Sequence, residues 1–444
     1  MSFFPEFVIP IRRWYTKPSE VRVETSAIVL PNKFHTYPAQ RPIASAAASN
    51  GGGGVLRPFA TSSGLPDMPP QYFSAPQLLR AYNVPPVVAA PGKKKVRIAV
   101  VIAFTYPGLL RDLATYWTHP LNFGPSSQPP VVRVYTMPGA TFQDAWAQEE
   151  CLDVQMVCAM NPNADIWVVE AKSDVDSDLL AAVAYATGTL QADVISMSWG
   201  MNDFASYTLS NAVFASPKTP VIFCASSGDT NTASWPAVLS DVLAVGGTTL
   251  FTSGTFRQET AWNAAGCGYS ASVPLPSYQQ GIPMLSTAKT RVIPDVAMTA
   301  DPNNSVYVVY GGRWKNVGGT SVSAPLMAGI LSLVNQTRFN ANKSGLTTVS
   351  GPPPRPKASS SSSSAKLAPN IPSNHLQTYL YQKMYTAKTK YTAGMIDITH
   401  GADKGSSASS VDTLTTFYCG TGYDVATGLG APNARIWCRE FLNA

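Results

Sequence analysis

The chain has 444 residues, a formal net charge of +6 and a charged fraction of only 13%. Charged residues make up about 25% of an average globular domain, whereas the hydrophobic fraction here, 45%, is ordinary. This composition excludes a disordered chain of high net charge. The pI of about 8.9 comes from scarce acidic residues rather than from runs of Lys or Arg, so we do not expect a nucleic-acid-binding protein.

Membrane and secretion signals are not expected. No apolar run reaches the 18 or so residues of a membrane span. Near the N-terminus, Glu6 and several prolines interrupt the short apolar stretches, which does not fit a secretory signal and leaves the compartment open. The six cysteines contain no CxxC pair, which argues against a zinc ribbon or a dense disulfide framework and leaves their redox state undecided.

Residues 1–71 have the composition of a tail that cannot form a core of its own. Ten of the first 70 residues are Pro, and an Ala-rich run leads into four glycines at 51–54. The stretches 21–23 and 27–30 could still add strands to another surface, and the tail could bind a protein partner. A second Ser- and Pro-rich segment, 344–370, is predicted to be a surface insertion, because regular patterns resume on both sides.

Residues 72–444 alternate between apolar runs and helical patterns. Strands are predicted at 96–104, 165–171, 194–199, 221–226 and 242–247, and helices at 143–160, 176–187 and 207–215. Near-continuous apolar strands that alternate with helices predict a mostly parallel sheet with helices on both faces. The sequence therefore predicts one large α/β domain preceded by a tail.

Two acidic residues in the helix predicted at 143–160 could form a proton-transfer pair. Glu149 and Asp153 are four residues apart and share a face with apolar residues, whereas Glu150 is expected to point away. Two neighbouring carboxyl groups in a partly buried site have raised, coupled pKa values and can share a proton. The alternative is an acidic patch tolerated on an ordinary helix.

The ends of two predicted strands carry further candidates. Asp229 follows the strand 221–226, and active sites of open α/β sheets form at such carboxyl ends. A protonated Asp229 could donate a hydrogen bond to an oxyanion, although a simple Gly-Asp turn is the alternative. Trp199 ends the neighbouring strand and is either core or, as we expect, the wall of a substrate-binding site shared with Ser198 and Gly200.

The segment 318–325 reads GGTSVSAP and leads into a helical pattern. A serine after a glycine pair at a helix start can expose its hydroxyl next to free backbone amides, which suits a nucleophile at Ser321. An N-cap serine at a Gly-rich helix start is the alternative. A nucleophilic serine needs a base, and none of the four histidines lies in a suitable context, so a His-dependent subtilisin is not favoured.

Gly-rich turns near the C-terminus contain two carboxylates that could hold a cation. Asp397 begins the segment DITHG, and Asp424 ends the segment GTGYD. Carboxylate and carbonyl oxygens suit calcium, and the segments do not form an EF-hand loop. By itself this pattern is not specific, because Gly-rich turns are common.

Taken together, these segments resemble the sedolisin family of serine-carboxyl peptidases. The resemblance runs from about Tyr72 to Asn433 with the blocks in order, and further landmarks are APQLLRAYNV at 75–84, WN at 262–263, YQ at 278–279 and PDV at 294–296. It implies a subtilisin-like α/β fold, a peptide or protein substrate and hydrolysis through an acyl-enzyme at acidic pH. The family also suggests secretion or an acidic compartment.

The resemblance further implies roles for individual residues. The catalytic roles are the nucleophile, its general base, the acid that supports the base and the oxyanion-hole carboxyl, which fall on Ser321, Glu149, Asp153 and Asp229. One calcium ion is implied, bound by the side chains of Asp397 and Asp424 and the carbonyl groups of Ile398, Gly420 and Gly422.

The chain also departs from the family pattern. Members usually carry a large folded pro-domain, which a Pro-rich tail of 71 residues cannot form. Many relatives have an acid where Ile102 falls, and Cys151 between the two acids is unusual. The alternative function is therefore a structural or interaction protein on the same fold, with the tail as its anchor. The presence of all four catalytic residues opposes that alternative.

Overall fold

The computed structural model describes residues 71–444 except 204–211, 216, 218, 254–255, 351–370 and 408–413, together with the backbone of two short strands in the tail. The strands are β1 (Glu24–Thr25), β2 (Ile28–Val29), β3 (Gln71–Phe73), β4 (Arg97–Ala103), β5 (Val132–Thr136), β6 (Asp165–Ala171), β7 (Val194–Met197), β8 (Trp199–Asn202), β9 (Ile222–Ser226), β10 (Ser234–Trp235), β11 (Leu243–Ser253), β12 (Phe256–Ala261), β13 (Gly268–Pro274), β14 (Thr290–Ile293), β15 (Val296–Thr299), β16 (Asn304–Tyr310), β17 (Arg313–Gly318), β18 (Met395–Ile396), β19 (Ala402–Ser406), β20 (Leu414–Tyr418) and β21 (Ala431–Pro432). The helices are α1 (Ala75–Ala81), α2 (Leu109–Thr118), α3 (Asp144–Met160), α4 (Asp176–Gly188), α5 (Ala212–Ala215), α6 (Thr320–Asn340), α7 (Leu376–Thr378), α8 (Lys388–Gly394) and α9 (Ala434–Glu440).

The central sheet is mostly parallel, as the alternating pattern predicts. Its order in space is β5, β6, β4, β7, β9, β11, and β15 and β12 both pair with β11. Of these strands, β12 is antiparallel to its neighbour and the others run parallel. The predicted fold class, a subtilisin-like α/β domain with a parallel sheet, is confirmed.

Helices cover both faces of this sheet because its strands are apolar on both sides. In β9, Ile222 and Cys224 pack with side chains of α6, whereas Phe223 between them packs on the opposite face in the cluster that contains α4. Burial of a large apolar side chain contributes roughly 1.5–3 kcal/mol to stability. The near-continuous burial of strand residues therefore fixes the sheet between two helical layers.

The helices α3 and α6 pack side by side and run in the same direction. A Cβ atom on Gly329 would lie 2.4 Å from Met160 Cβ, so only glycine permits this close approach. One turn further on, Asn161 Nδ2 donates to Ser332 Oγ over 2.8 Å. Both helices rise about 1.5 Å per residue, so Ser321, eight residues before Gly329, lies level with the segment around Leu152 and Asp153, about one helical turn after Glu149.

Some predicted element boundaries were wrong. The strand predicted at 194–199 ends at Met197 in the central sheet, and β8 then pairs with β1 and β10 in a separate small sheet. The strand predicted at 242–247 continues to Ser253, because its second half forms a hairpin with β12. Of the helix predicted at 207–215, the described part is Ala212–Ala215.

The predicted insertion at 344–370 begins too early. The residues 345–349 are buried, and the Thr347 hydroxyl donates to the Val221 carbonyl over 3.0 Å. The Thr348 hydroxyl accepts from the Phe223 amide over 3.1 Å, so this stretch is held against the start of β9. Its low-complexity remainder, 351–370, lies outside the described residues.

The tail contributes the two short strands β1 and β2. The strand β2 falls within the predicted stretch 27–30, whereas β1 begins one residue after the predicted stretch 21–23, which lies outside the described residues. All six cysteines are described, and none forms a disulfide. Among the described helices, none is both long and apolar enough to cross a membrane.

Candidate active site

The helix α3 carries both predicted carboxyl groups in the interior. Glu149 and Asp153 are each fully buried, one turn apart on the face expected from their spacing. Glu150, which we expected to point away from that face, is also buried and only 1% exposed. The reason is that α3 is enclosed by α1, α2, α6, β4 and β16 and has no solvent side along its second half.

Glu150 forms a buried carboxyl pair with Glu170 that the sequence analysis missed. Burial raises the pKa of Glu150 well above its usual range, and the neighbouring charge of Glu170 and a hydrogen bond to it raise the pKa further. The Glu170 carboxylate also accepts from the Tyr106 amide over 3.1 Å and from the Thr136 hydroxyl. The sequence signal that could have revealed this pair is Glu170, an acid near the end of the otherwise apolar strand β6.

Ser321 lies in the first turn of α6, two residues after Gly319, the second glycine of the pair at the end of β17. Gly319 has φ of 112°, in the left-handed region that favours glycine, and it immediately precedes the helix. The Ser321 side chain is fully buried, and its Oγ has no hydrogen-bond partner among the described residues. A buried hydroxyl without a partner is costly, which is common at sites that act on a ligand.

Ser198 connects the nucleophile's backbone to Asp153. Pro325 lacks an N–H group, so the Ser321 carbonyl four residues earlier receives no helical hydrogen bond from it. The Ser198 hydroxyl lies 3.4 Å from that carbonyl oxygen and 2.6 Å from Asp153 Oδ1. Burial raises the pKa of Asp153 well above its usual range. A protonated Asp153 can donate a hydrogen bond to Ser198 Oγ. The Ser198 hydroxyl is then free to donate its own proton to the Ser321 carbonyl oxygen.

Asp229 is joined to the same site by hydrogen bonds with Thr320, the residue before Ser321. Its Oδ1 accepts from the Thr320 amide over 2.7 Å and from the Thr320 hydroxyl over 2.8 Å. Its Oδ2 is buried and has no hydrogen-bond partner among the described residues. Burial raises the pKa of Asp229 to about 7, although the two bonds from Thr320 lower it. Asp229 can therefore hold a proton on Oδ2 in mildly acidic solution.

The segment around Trp199 adjoins the site through its backbone. The indole ring is fully buried, and its Nε1 donates to the Val101 carbonyl over 2.9 Å. The side chain therefore belongs to the core rather than to an open pocket wall, which corrects our expectation. Gly200 follows in β8 and packs so closely on Trp235 that a Cβ atom would lie 2.5 Å from its carbonyl oxygen.

The two C-terminal carboxylates converge as the sequence suggests. Asp397 accepts from the Tyr391 hydroxyl over 3.0 Å and from the Gly422 amide over 2.9 Å. Asp424 accepts from the amides of Thr427 over 2.8 Å and Gly420 over 3.2 Å. The pKa of Asp424 is raised to about 6, chiefly by burial and in smaller part by the charge of Asp397. The amides of Gly420 and Gly422 donate to Asp424 and Asp397 and so hold both acids at one turn. Ile398 follows Asp397 in the sequence and therefore lies beside this turn.

The histidines take no part in this arrangement. His375 is buried and bonded to the Thr348 carbonyl, and burial lowers its pKa to about 4. His119 packs edge-on against Trp314, and burial lowers its pKa as well. His400 is exposed, and His35 lies outside the described residues.

Comparison with known proteins finds a family model that matches the part of the chain containing these residues. The model of the subtilase family matches residues 148–350, a range that contains Glu149, Asp153, Asp229 and Ser321. Kumamolisin from Bacillus sp. (strain MN-32) is 33% identical over 214 residues, which cover 42% of this chain and 39% of kumamolisin. Tripeptidyl-peptidase 1 from Rattus norvegicus is 29% identical over 242 residues, covering 49% of this chain and 36% of the relative.

A solved structure matches the fold over a longer range. Pseudomonas sedolisin, a serine-carboxyl proteinase solved with two molecules of pseudo-iodotyrostatin, superposes with a TM-score of 0.62 at 20% identity. The match covers 83% of this chain and 98% of that chain. The aligned sequence spans well under two thirds of the curated relatives named above. By sequence the chain is similar to kumamolisin and tripeptidyl-peptidase 1, and it shares the fold of sedolisin.

Proposed function

We propose that the chain is a serine peptidase that hydrolyses peptide or protein substrates through an acyl-enzyme at Ser321. The support is a buried hydroxyl in the first turn of α6, with Asp153 connected to that turn through Ser198 and Asp229 through Thr320. Ser321 Oγ attacks the carbonyl carbon of the peptide bond, and Glu149 receives its proton. The amine of the departing fragment then takes that proton, and water hydrolyses the ester.

Asp153 and Ser198 position and tune this step. Asp153 lies one helical turn from Glu149 on α3, so its protonation state sets the field at the base. Ser198 joins Asp153 to the Ser321 carbonyl, which fixes the first turn of α6 relative to α3. In this proposal Asp153 acts through these groups and does not contact the substrate.

The observation that carries the proposal is the state of Asp229. Its Oδ1 is held by both donors of Thr320, and its Oδ2 is left buried without a protein partner, one residue from the nucleophile. A proton on Oδ2 would donate to the oxyanion that forms when Ser321 attacks. Because the pKa of Asp229 is about 7, this donor would exist only in acidic to neutral solution. We therefore propose an acid peptidase.

The substrate backbone would lie along β8. Trp199 is buried, so the contacts that Ser198, Trp199 and Gly200 offer to a substrate are mainly those of the main chain. Because β8 already pairs with β1 and β10, an extended peptide would take the place of β1 and gain affinity from main-chain hydrogen bonds. This mode suits a peptidase, because main-chain hydrogen bonds recognise peptides of many sequences.

We also propose that the turn at 420–424 holds one calcium ion with Asp397 and Asp424. The described residues contain no cluster of three or more His, Cys, Asp or Glu side chains able to hold a metal, so main-chain oxygens would be needed. Carbonyl groups of Ile398, Gly420 and Gly422 could supply them, and hard oxygen ligands suit calcium. The residues fit, since two carboxylates are already held together against their mutual repulsion. The ion would stabilise this turn and take no part in proton transfer.

Trapping the acyl-enzyme tests the proposed chemistry. The full chain is mixed with an activated peptide ester at pH 4.5, quenched in acid within seconds and digested for mass spectrometry. We expect the peptide to be attached at Ser321, and Ser321→Ala to carry no label. Equal labelling of both proteins, or label only on other residues, would contradict the nucleophile.

A further inference from the structure

The loop that carries Asp229 lies between the proposed active site and the strand β19. We call residues 227–233, which connect β9 to β10, the Asp229 loop. On one side, Asp229 accepts the two hydrogen bonds from Thr320, and the Thr232 hydroxyl donates to Asn202 Oδ1 on β8 over 2.7 Å. On the other side the loop contacts β19, a strand that has no part in the reaction as proposed above.

Asn231 makes the first contact between the Asp229 loop and β19. Its Nδ2 donates to Asp403 Oδ1 over 3.0 Å and to the Asn263 carbonyl over 2.7 Å. Its φ of 60° lies in the left-handed region, which asparagine adopts more readily than most residues other than glycine. A single side-chain amide, two residues after Asp229, therefore joins the loop to two other segments of the chain.

A second hydrogen bond to β19 fixes the end of the Asp229 loop. The Ala233 amide donates to Ser406 Oγ over 3.1 Å, and Ser406 is three residues after Asp403 on the same strand. Both acceptor residues are buried. A buried donor that loses its acceptor costs more than an ordinary hydrogen bond contributes, so both contacts hold the loop in place.

One short segment supports the Asp229 loop and β19 together. The Gly266 amide donates to the Gly228 carbonyl over 2.6 Å, and the Ser406 amide donates to the Cys267 carbonyl over 3.0 Å. A Cβ atom on Gly266 would lie 2.1 Å from the carbonyl oxygen of Ser227, so the loop closes directly around this glycine. The loop and β19 therefore have a fixed relation to each other at the residues next to Asp229.

We propose that Asp403 is a positioning residue for the oxyanion-hole acid Asp229, on which it acts through Asn231. This inference rests on the proposed peptidase function. An oxyanion donor acts at about 2.7–3.1 Å from the developing charge, and a displacement of about 1 Å can cost about 10²-fold in rate. Thr320 holds one oxygen of Asp229, and the bond from Asn231 to Asp403 holds the backbone two residues later. Asp403 itself does not contact the substrate.

The protonation state of Asp403 determines which substitutions test this role. Burial raises its pKa to about 8, although hydrogen bonds with Asn231, the Lys404 amide and the Cys267 thiol lower it. Asp403 is therefore uncharged in acidic solution, where its carboxyl oxygen still accepts from Asn231. An asparagine keeps an uncharged acceptor at this position, whereas a leucine has a similar shape and no acceptor.

Hydrogen exchange in the full chain tests the contact independently of activity. The wild type is compared at pH 4.5 with Asp403→Leu, which lacks the acceptor, and Asn231→Gly, which lacks the donor but tolerates the same φ. Asp403→Asn is the conservative variant, and Asn342→Gly is the matched control at another left-handed asparagine. We expect roughly tenfold faster exchange in the peptide that contains 227–235, in Asp403→Leu and Asn231→Gly only. Equal exchange of this peptide in all five proteins would overturn the assignment.

Peptide hydrolysis by the same five proteins tests the link to Asp229. We expect kcat to fall about 10–100-fold in Asp403→Leu and Asn231→Gly while KM changes less than about twofold, and both controls to stay close to the wild type. The alkaline limb should move to lower pH in the two impaired variants, because a loosened loop admits water and lowers the raised pKa of Asp229.

The two experiments separate this inference from the peptidase function. If the wild type cleaves peptides and the impaired variants match it in kcat and in pH profile, the positioning role is wrong while the peptidase function stands. If none of the proteins cleaves peptides but the exchange difference is present, the peptidase function fails while the contact between Asp403 and the Asp229 loop stands.

Discussion

Ile102 and Glu170 face each other in register across the parallel strands β4 and β6. The Ile102 side chain is apolar, whereas Glu170 on the neighbouring strand carries a buried carboxyl group. Glu170 is paired with Glu150, the residue after the proposed base. A pair of buried acids therefore lies beside the proposed base on α3.

We predict that Glu170→Gln makes stability less sensitive to pH. The folded-state pKa of Glu150 is raised well above its unfolded value, so the folded chain binds the extra proton and loses stability as pH rises through that window. Each such group contributes a slope of up to about 1.4 kcal/mol per pH unit. Without the charge of Glu170, the fall in Tm from pH 4.5 to pH 7.5 should become smaller. Asp178→Asn, at a partly exposed acid, is the control, and an unchanged profile in Glu170→Gln would contradict the pair.

We predict that Asp229→Asn removes the alkaline limb of the activity profile. In the wild type, kcat/KM should fall as pH rises through about 7, because the proton on Asp229 is lost there. An asparagine amide donates at every pH, so the variant should be slower but flat across this range, whereas Asp229→Ala should lose about 10²–10³-fold in kcat. Asp241→Asn removes another acid with a raised pKa and should keep the wild-type profile. An alkaline limb that persists in Asp229→Asn would contradict its role.

We predict that Ser198→Ala lowers kcat more than it changes KM. Loss of the hydroxyl removes the 2.6 Å bond to Asp153 and the contact with the Ser321 carbonyl, but leaves the backbone of β8 in place. A decrease of about 10-fold in kcat is the expected size for one positioning hydrogen bond. The pH dependence should also shift, because the Ser198 hydrogen bond lowers the pKa of Asp153. Loss of activity through KM alone would indicate a substrate-binding role instead.

We predict that chelation of calcium lowers Tm in the wild type and has little effect in Asp397→Asn/Asp424→Asn. The two carboxylates repel each other in the absence of a cation, and a bound ion stabilises the folded chain by mass action. Differential scanning fluorimetry with EDTA and with added calcium or magnesium measures the shift. Tyr418→Ala, an exposed residue just before the turn, serves as the control. No difference between EDTA and calcium in the wild type would exclude the site.

The sequence predicted those parts of the fold and site that depend on local pattern. The apolar strands gave the parallel sheet, and the four-residue spacing placed Glu149 and Asp153 on one buried face. The Glu150–Glu170 pair could not be predicted, because it forms only when α3 packs on the end of β6. The burial of Trp199 was missed for a similar reason, since its indole donor finds the Val101 carbonyl across the sheet.

Catalysis by Ser321 with a carboxyl base predicts a distinct dependence of peptide cleavage on pH and on two side chains. The purified wild-type chain, Ser321→Ala and Glu149→Gln are incubated with a peptide library from pH 3 to pH 8, and products are quantified by mass spectrometry. We predict cleavage by the wild type that is greatest below about pH 7 and is lost in both variants. Equal cleavage by wild type and Ser321→Ala, or a maximum in alkaline solution, would contradict the account.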